Sequence, residues 1–103
     1  MMRGKDVRPR TWSNVLDLYD DGDTSFISGN YKNAQETSIG IRWDGNPDDL
    51  NDAGYPNQGK NPTWFILPEW LRNPVLAVLT DRVKKDATIG DMPNIKKAFD
   101  LIN

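Results

Sequence analysis

From Trp12 to Trp43 apolar residues tend to recur at every second position, whereas from Val75 onward they recur at every third and fourth. The first period is that of half-buried strands and the second that of amphipathic helices. Asp20-Asp21-Gly22-Asp23 separates two apolar runs and reads as a hairpin turn, because Asp-Gly accepts the positive φ angles of a two-residue loop. With Asp21 and Gly22 as the turn, Tyr19 is expected opposite Thr24, Asp17 opposite Phe26 and Leu16 opposite Ile27. Lys32 to Glu36 reads as the next turn, and closing it with Tyr31 opposite Thr37 sets Ile27 beside Ile41 and Gly29 beside Ile39. The expected inner face then carries Leu16, Leu18, Ile27, Ile39, Ile41 and Trp43. The expected outer face carries Val15, Asp17, Tyr19, Phe26, Ser28, Ser38, Gly40 and Arg42.

A further strand is expected in Asn61 to Leu71, NPTWFILPEWL, entered at Pro62 and halted at Pro68. Trp64, Phe65, Ile66 and Leu67 place bulky groups on both of its faces, so it needs two covers. Asn73 reads as a helix cap followed by Pro74, opening a helix to about Lys85 whose core stripe is Val75, Val78, Leu79 and Arg82, widened by Leu76 and Val83. Asp91 reads as the cap of a last helix with Pro93 in its first turn and Ile95, Ala98, Phe99 and Ile102 on one face. The fold expected is α+β: a three- to four-stranded, mostly antiparallel meander with two C-terminal helices packed on one face. A small, strongly bent barrel is the alternative, since Gly29 and Gly40 would let short strands curl.

Composition narrows the chemistry. The chain has 103 residues, 37 % hydrophobic, enough for the core of one domain over residues 11–103, and no linker or repeat divides it. Residues 1–10, MMRGKDVRPR, read as a flexible basic arm. There is no Cys and no His, which removes thiolate catalysis, disulfides, the Ser-His-Asp arrangement and most transition-metal sites. A net charge of −2 argues against a main role in gripping nucleic acid. No apolar run is long enough to span a membrane, and the N-terminus lacks the apolar middle of a signal peptide, so a cytoplasmic location is expected. Asp44, Asn46 and Asp48 match the opening of a calcium loop. Asp49 then stands where its Gly belongs and Tyr55 where its closing Glu belongs, so neither a metal nor any other cofactor is expected.

The candidate binding residues are Asp17, Tyr19, Phe26, Arg42, Tyr55, Trp64, Phe65 and Trp70. Asp17, Phe26 and Arg42 would form one cross-strand row, Tyr55 is the contact residue of the long Asp44–Lys60 loop, and the rest form an aromatic and Arg surface of interface composition. No catalytic residue is assigned. The pairing of SIGIRWDG with NPTWFILPEWL resembles small bacterial proteins of unassigned function carried as mobile (integron) gene cassettes or phage-associated accessory genes. That resemblance, covering Val15 to Leu79, implies an adaptive accessory role in a bacterial cytoplasm and no reaction. The function expected is a non-enzymatic interaction module, a homodimer or a binder of another protein, with a sheet-face pocket for a small molecule as the alternative. An enzyme independent of His and Cys comes last.

Overall fold

In the computed structural model, which describes all residues Met1–Asn103, the alternating third of the chain forms three strands: β1 (Trp12–Asp20), β2 (Thr24–Tyr31) and β3 (Ser38–Trp43). The long loop then folds a small ribbon, β4 (Asn57–Gln58) and β5 (Asn61–Pro62), before β6 (Phe65–Ile66) joins the main sheet. The sheet order is β1-β2-β3-β6 with every neighbouring pair antiparallel. A 3-10 turn at Glu69–Leu71 runs into α1 (Arg72–Lys85), and α2 (Met92–Ile102) closes the chain. This is the expected α+β class, and both helices pack on one sheet face. No helix is long and apolar enough to cross a membrane.

Both turns are wider or shifted relative to the sequence reading. Asp21 Oδ1 accepts from the Asp23 and Thr24 N–H groups at 2.9 and 2.8 Å, and Asp20 Oδ1 accepts from the Gly22 N–H at 2.9 Å. These side chains satisfy a loop longer than two residues, so pairing starts at Asp20↔Ser25 and Tyr19↔Phe26. At the second turn Lys32 and Asn33 take φ values of 51° and 59°, and Ile27 pairs with Gly40 rather than Ile41. Because strand side chains alternate, that slip of one residue changes faces. Tyr19, Phe26 and Ser28 join Leu16, Ile39 and Ile41 on the helix side, while Ile27 moves to the side of Asp17, Gly40 and Arg42. Two irregularities in β1, around Asn14 and Leu18, let Leu18 and its neighbour Tyr19 both enter the helix-side core.

That core joins Leu18, Tyr19 and Ile39 to Leu76, Leu79 and Val83 of α1 and Ile95 and Ala98 of α2. The buried stripe of α1 therefore lies around from the expected one, and Val78 is 57 % exposed. Asn73 does not cap α1: Leu71 holds that position, and the Asn73 side chain instead exchanges hydrogen bonds with Asn103 at the end of α2. Asp91 does cap α2, accepting from the Asn94 N–H at 3.0 Å. Phe99, expected in the core, is largely exposed.

The other sheet face is covered by the segment expected to be a flexible arm. Val7 is buried with Trp12, Ile27 and Trp64 in a second core, and the Trp64 Nε1–H donates to the Val7 carbonyl at 3.1 Å. Arg3 pairs with Asp20 at 3.0 Å and Arg8 with Asp17 at 2.5 Å. The arm's charges thus find carboxylates along β1, and its apolar residues close the face that the helices leave open.

Candidate functional site

One row of side chains crosses the helix-side face: Tyr19, Phe26, Ile41 and Phe65, each paired to the next across neighbouring strands. Its exposure rises along the row because the helices lie over β1. Tyr19 is buried, Phe26 and Ile41 are half-buried, and Phe65 is 40 % exposed. Around Phe65 stand Trp43, 44 % exposed, and Tyr55, 60 % exposed, with ring centroids 6.5 and 5.2 Å from that of Phe65. Both contacts are edge-to-face, the favourable arrangement for aromatic quadrupoles.

Tyr55 reaches this cluster because the long loop folds back along the end of β3. The Trp43 N–H donates to the Tyr55 carbonyl at 2.8 Å and the Tyr55 N–H to the Trp43 carbonyl at 3.0 Å. Gly54, at φ +75°, is needed for this approach: a Cβ there would lie 1.9 Å from the Trp43 carbonyl oxygen. Arg42 then holds the loop from below. Its Nη1 donates to the Pro56 and Thr63 carbonyls at 3.2 and 2.7 Å, and its Nη2 to the Ala53 carbonyl. The guanidinium is fully buried 5.9 Å above the Trp64 ring.

Six of the eight sequence candidates therefore stand outside this exposed cluster. Arg42 and Trp64 are interior residues of the far face, tying loop and N-terminal segment to the sheet, and offer no contact surface. Asp17 lies on that far face too, across from Ile27 and beside Arg8 rather than Phe26. Tyr19 and Phe26 meet edge-to-face at 5.7 Å, but Tyr19 is buried. Trp70 is 75 % exposed in the 3-10 turn and makes none of the cluster's ring contacts. Phe65 and Tyr55 are brought together as an exposed pair. Trp43, expected inside, completes them, while Ile66, 43 % exposed on the outermost strand, lies by alternation on the opposite face.

A groove of about 530 Å³ opens where α1 passes the β1–β2 hairpin, walled by Phe26, Leu71, Pro74, Val75 and Val78. Its polar end is a relay: Arg82 Nε–H donates to the Tyr19 hydroxyl at 2.8 Å, and that hydroxyl donates to Asp21 Oδ2 at 2.8 Å. Burial raises the Tyr19 pKa from its usual value, so the hydroxyl keeps its proton for Asp21. Asp21 is held below the usual carboxylate range because the Thr24 and Asp23 N–H groups, Tyr19 and Arg82 outweigh its desolvation. The family models, the curated proteins and the solved structures contain no match to this chain. Its function is read from its own surfaces.

Proposed function

We propose that this protein is a non-enzymatic interaction module that self-associates through the aromatic edge of its sheet. The observation that carries this reading is the exposure of Trp43, Tyr55, Phe65 and Ile66 beside the outermost strand β6. Phe65 and Ile41 pair across β3 and β6, and the Leu67 N–H donates inward to the Ile39 carbonyl at 2.9 Å. By alternation, the Ile66 N–H and carbonyl face outward from the sheet. A second copy related by a two-fold axis would pair β6 with β6, satisfy those groups and bury both aromatic clusters against each other. The low net charge of −2 opposes such contact little. An accessory role in a bacterial cytoplasm is part of the same proposal.

Light scattering on a size-exclusion column across a dilution series tests it. A dimer is expected, and replacing Phe65 and Tyr55 together by Ala is expected to shift it to monomer with the fold intact, weakening association at least about tenfold, as for loss of interface aromatics. A wild-type monomer at every concentration would reject self-association.

The groove supports a second reading, a binding site for a small molecule. An apolar body would lie against Phe26, Val75 and Val78, and a hydrogen-bond acceptor would meet the half-exposed Arg82. A ligand bound there raises Tm by mass action, and Arg82→Ala is expected to remove the polar part of that gain.

A further inference from the structure

Beneath the N-terminal segment lies a pair of carboxyl groups that neither reading uses. Asp44, at the end of β3, is fully buried. Its Oδ1 accepts from the Ser25 hydroxyl at 2.6 Å, while its Oδ2 is buried without a donor. The Asp20 carboxyl, at the strand position paired with Ser25, is the other side chain within hydrogen-bonding reach of the Asp44 carboxyl. Two ionised carboxylates at that separation, one of them buried, cannot both persist cheaply. A proton on Asp44 Oδ2 turns the orphaned acceptor into a donor toward Asp20 and resolves both problems.

Asp20 is built to be the ionised member. Its Oδ1 accepts from the Gly22 N–H, and its Oδ2 from Arg3 Nε and from the Gly4 N–H at 3.3 Å. Those bonds and the donor on Asp44 outweigh the desolvation of Asp20 and hold its pKa below the usual range. Burial and the Asp20 carboxylate, against the opposing hydrogen bond from Ser25, push Asp44 up to about 7. The other charges in range are Arg42 on β3, which interacts with Asp44, and Lys5, Asp17 and Asp91, which line a shallow depression of about 260 Å³ with Arg3 and Asp20.

The pair also anchors the segment above it. The Met2 N–H donates to the Asp44 carbonyl at 2.6 Å, Arg3 and Gly4 hold Asp20, and Gly4 sits so close to Ser25 that a Cβ would come within 2.6 Å of the Ser25 Cβ. We propose that Asp20 and Asp44 hold one proton between them, and that this shared proton latches Met2–Arg8 onto the sheet. When the proton leaves, two facing carboxylates repel beneath the segment, which lets go and uncovers Trp12, Ile27 and Trp64.

Two measurements on the full-length chain test the latch: a 13C-carboxyl NMR titration, and hydrogen exchange of the Gly4–Arg8 amides corrected for the intrinsic effect of pH. Asp44 is expected to titrate well above the ordinary carboxylate range, with protection of those amides falling at least tenfold between pH 6 and pH 8.5. Asp44→Asn keeps a donor toward Asp20 without a proton to lose, so its protection is expected to stay level over that range. An Asp44 midpoint below pH 5, or protection that is constant in the wild type, overturns the proposal. So does an Asn variant that loses protection as the wild type does. If that variant does not fold, the wild-type titration and exchange decide the matter by themselves.

Discussion

Arg42 is the residue whose role differs most from its appearance in the sequence. Surrounded by aromatics and placed by alternation on an outer face, it has the composition of an interface contact; in the structure it is a buried clamp on the Ala53 and Pro56 carbonyls of the long loop and on that of Thr63 just beyond it. Burial lowers its pKa and the Asp44 charge opposes that, yet arginine stays charged at any ordinary pH. The geometry of the fork, rather than the charge alone, is what a lysine lacks. Arg42→Lys is therefore expected to cost about 2 kcal/mol of unfolding free energy, since at least one carbonyl is left buried without a donor. Urea denaturation measures it, and near-UV circular dichroism should report the Tyr55 and Phe65 rings leaving their packed geometry. A loss under about 0.5 kcal/mol, the range of an ordinary surface change, would mean that the fork does not matter. Nothing near Arg42 in the sequence announces these partners, because Ala53, Pro56 and Thr63 offer only their backbone. The link from Trp64 to Val7 is equally silent, spanning 57 positions. Tyr55 and Phe65 were legible, one as the sole large aromatic of a polar loop and the other as a bulky residue of an apolar strand.

At the scale of elements, the strands and helices were legible because their periods are strong, while their phase was not. The Asp-Gly signal located the first hairpin, but capping by Asp20 and Asp21 widened its loop and moved the register. A second slip at Lys32 and Asn33 carried Phe26 to the helix side and Ile27 away from it. Both alignments bring apolar residues together, so hydrophobic matching alone could not choose between them. The same holds for α1, where Val75, Leu76, Val78, Leu79 and Val83 make a stripe too wide to reveal its centre. The 3-10 turn at Glu69–Leu71, continuing into the helix, sets the phase that buries Leu76, Leu79 and Val83. Two variants separate the phases by thermal or urea unfolding. Leu79→Ala is expected to cost about 2 to 5 kcal/mol through the cavity it leaves. Val78→Glu is expected to stay within about 0.5 kcal/mol of wild type while adding a charge to the groove wall. Comparable losses at the two positions would place the buried stripe where the sequence pattern first put it.

The whole molecule has an unusual electrostatic profile because it contains no His. The terminal amine donates to the Asp49 carbonyl at 2.7 Å. Asp44, raised by burial and by Asp20 to about 7, titrates in the range that a His would otherwise cover. A carboxyl whose folded pKa is raised contributes stability that is fully present below its unfolded value near 3.8 and is lost as pH rises through 7. Asp20 and Asp21 act with the opposite sign: their folded pKa values are lowered, so their contribution is present above 3.8 and is lost as pH falls through the depressed values. Stability should therefore peak at about pH 4, where the two effects meet, falling on the acid side through Asp20 and Asp21 and on the alkaline side progressively up to about pH 7 through Asp44. On the alkaline side Tm is expected to fall by about 5 °C or more between pH 6 and 8.5, the shift that roughly 1 kcal/mol produces in a domain of this size. Asp44→Asn should abolish this decline without altering the acid limb, whereas blocking the terminal amine should leave it in place. A decline that survives in Asp44→Asn but disappears on acetylation would assign the alkaline limb to the amine and leave the buried carboxyl without a role in the stability of the fold.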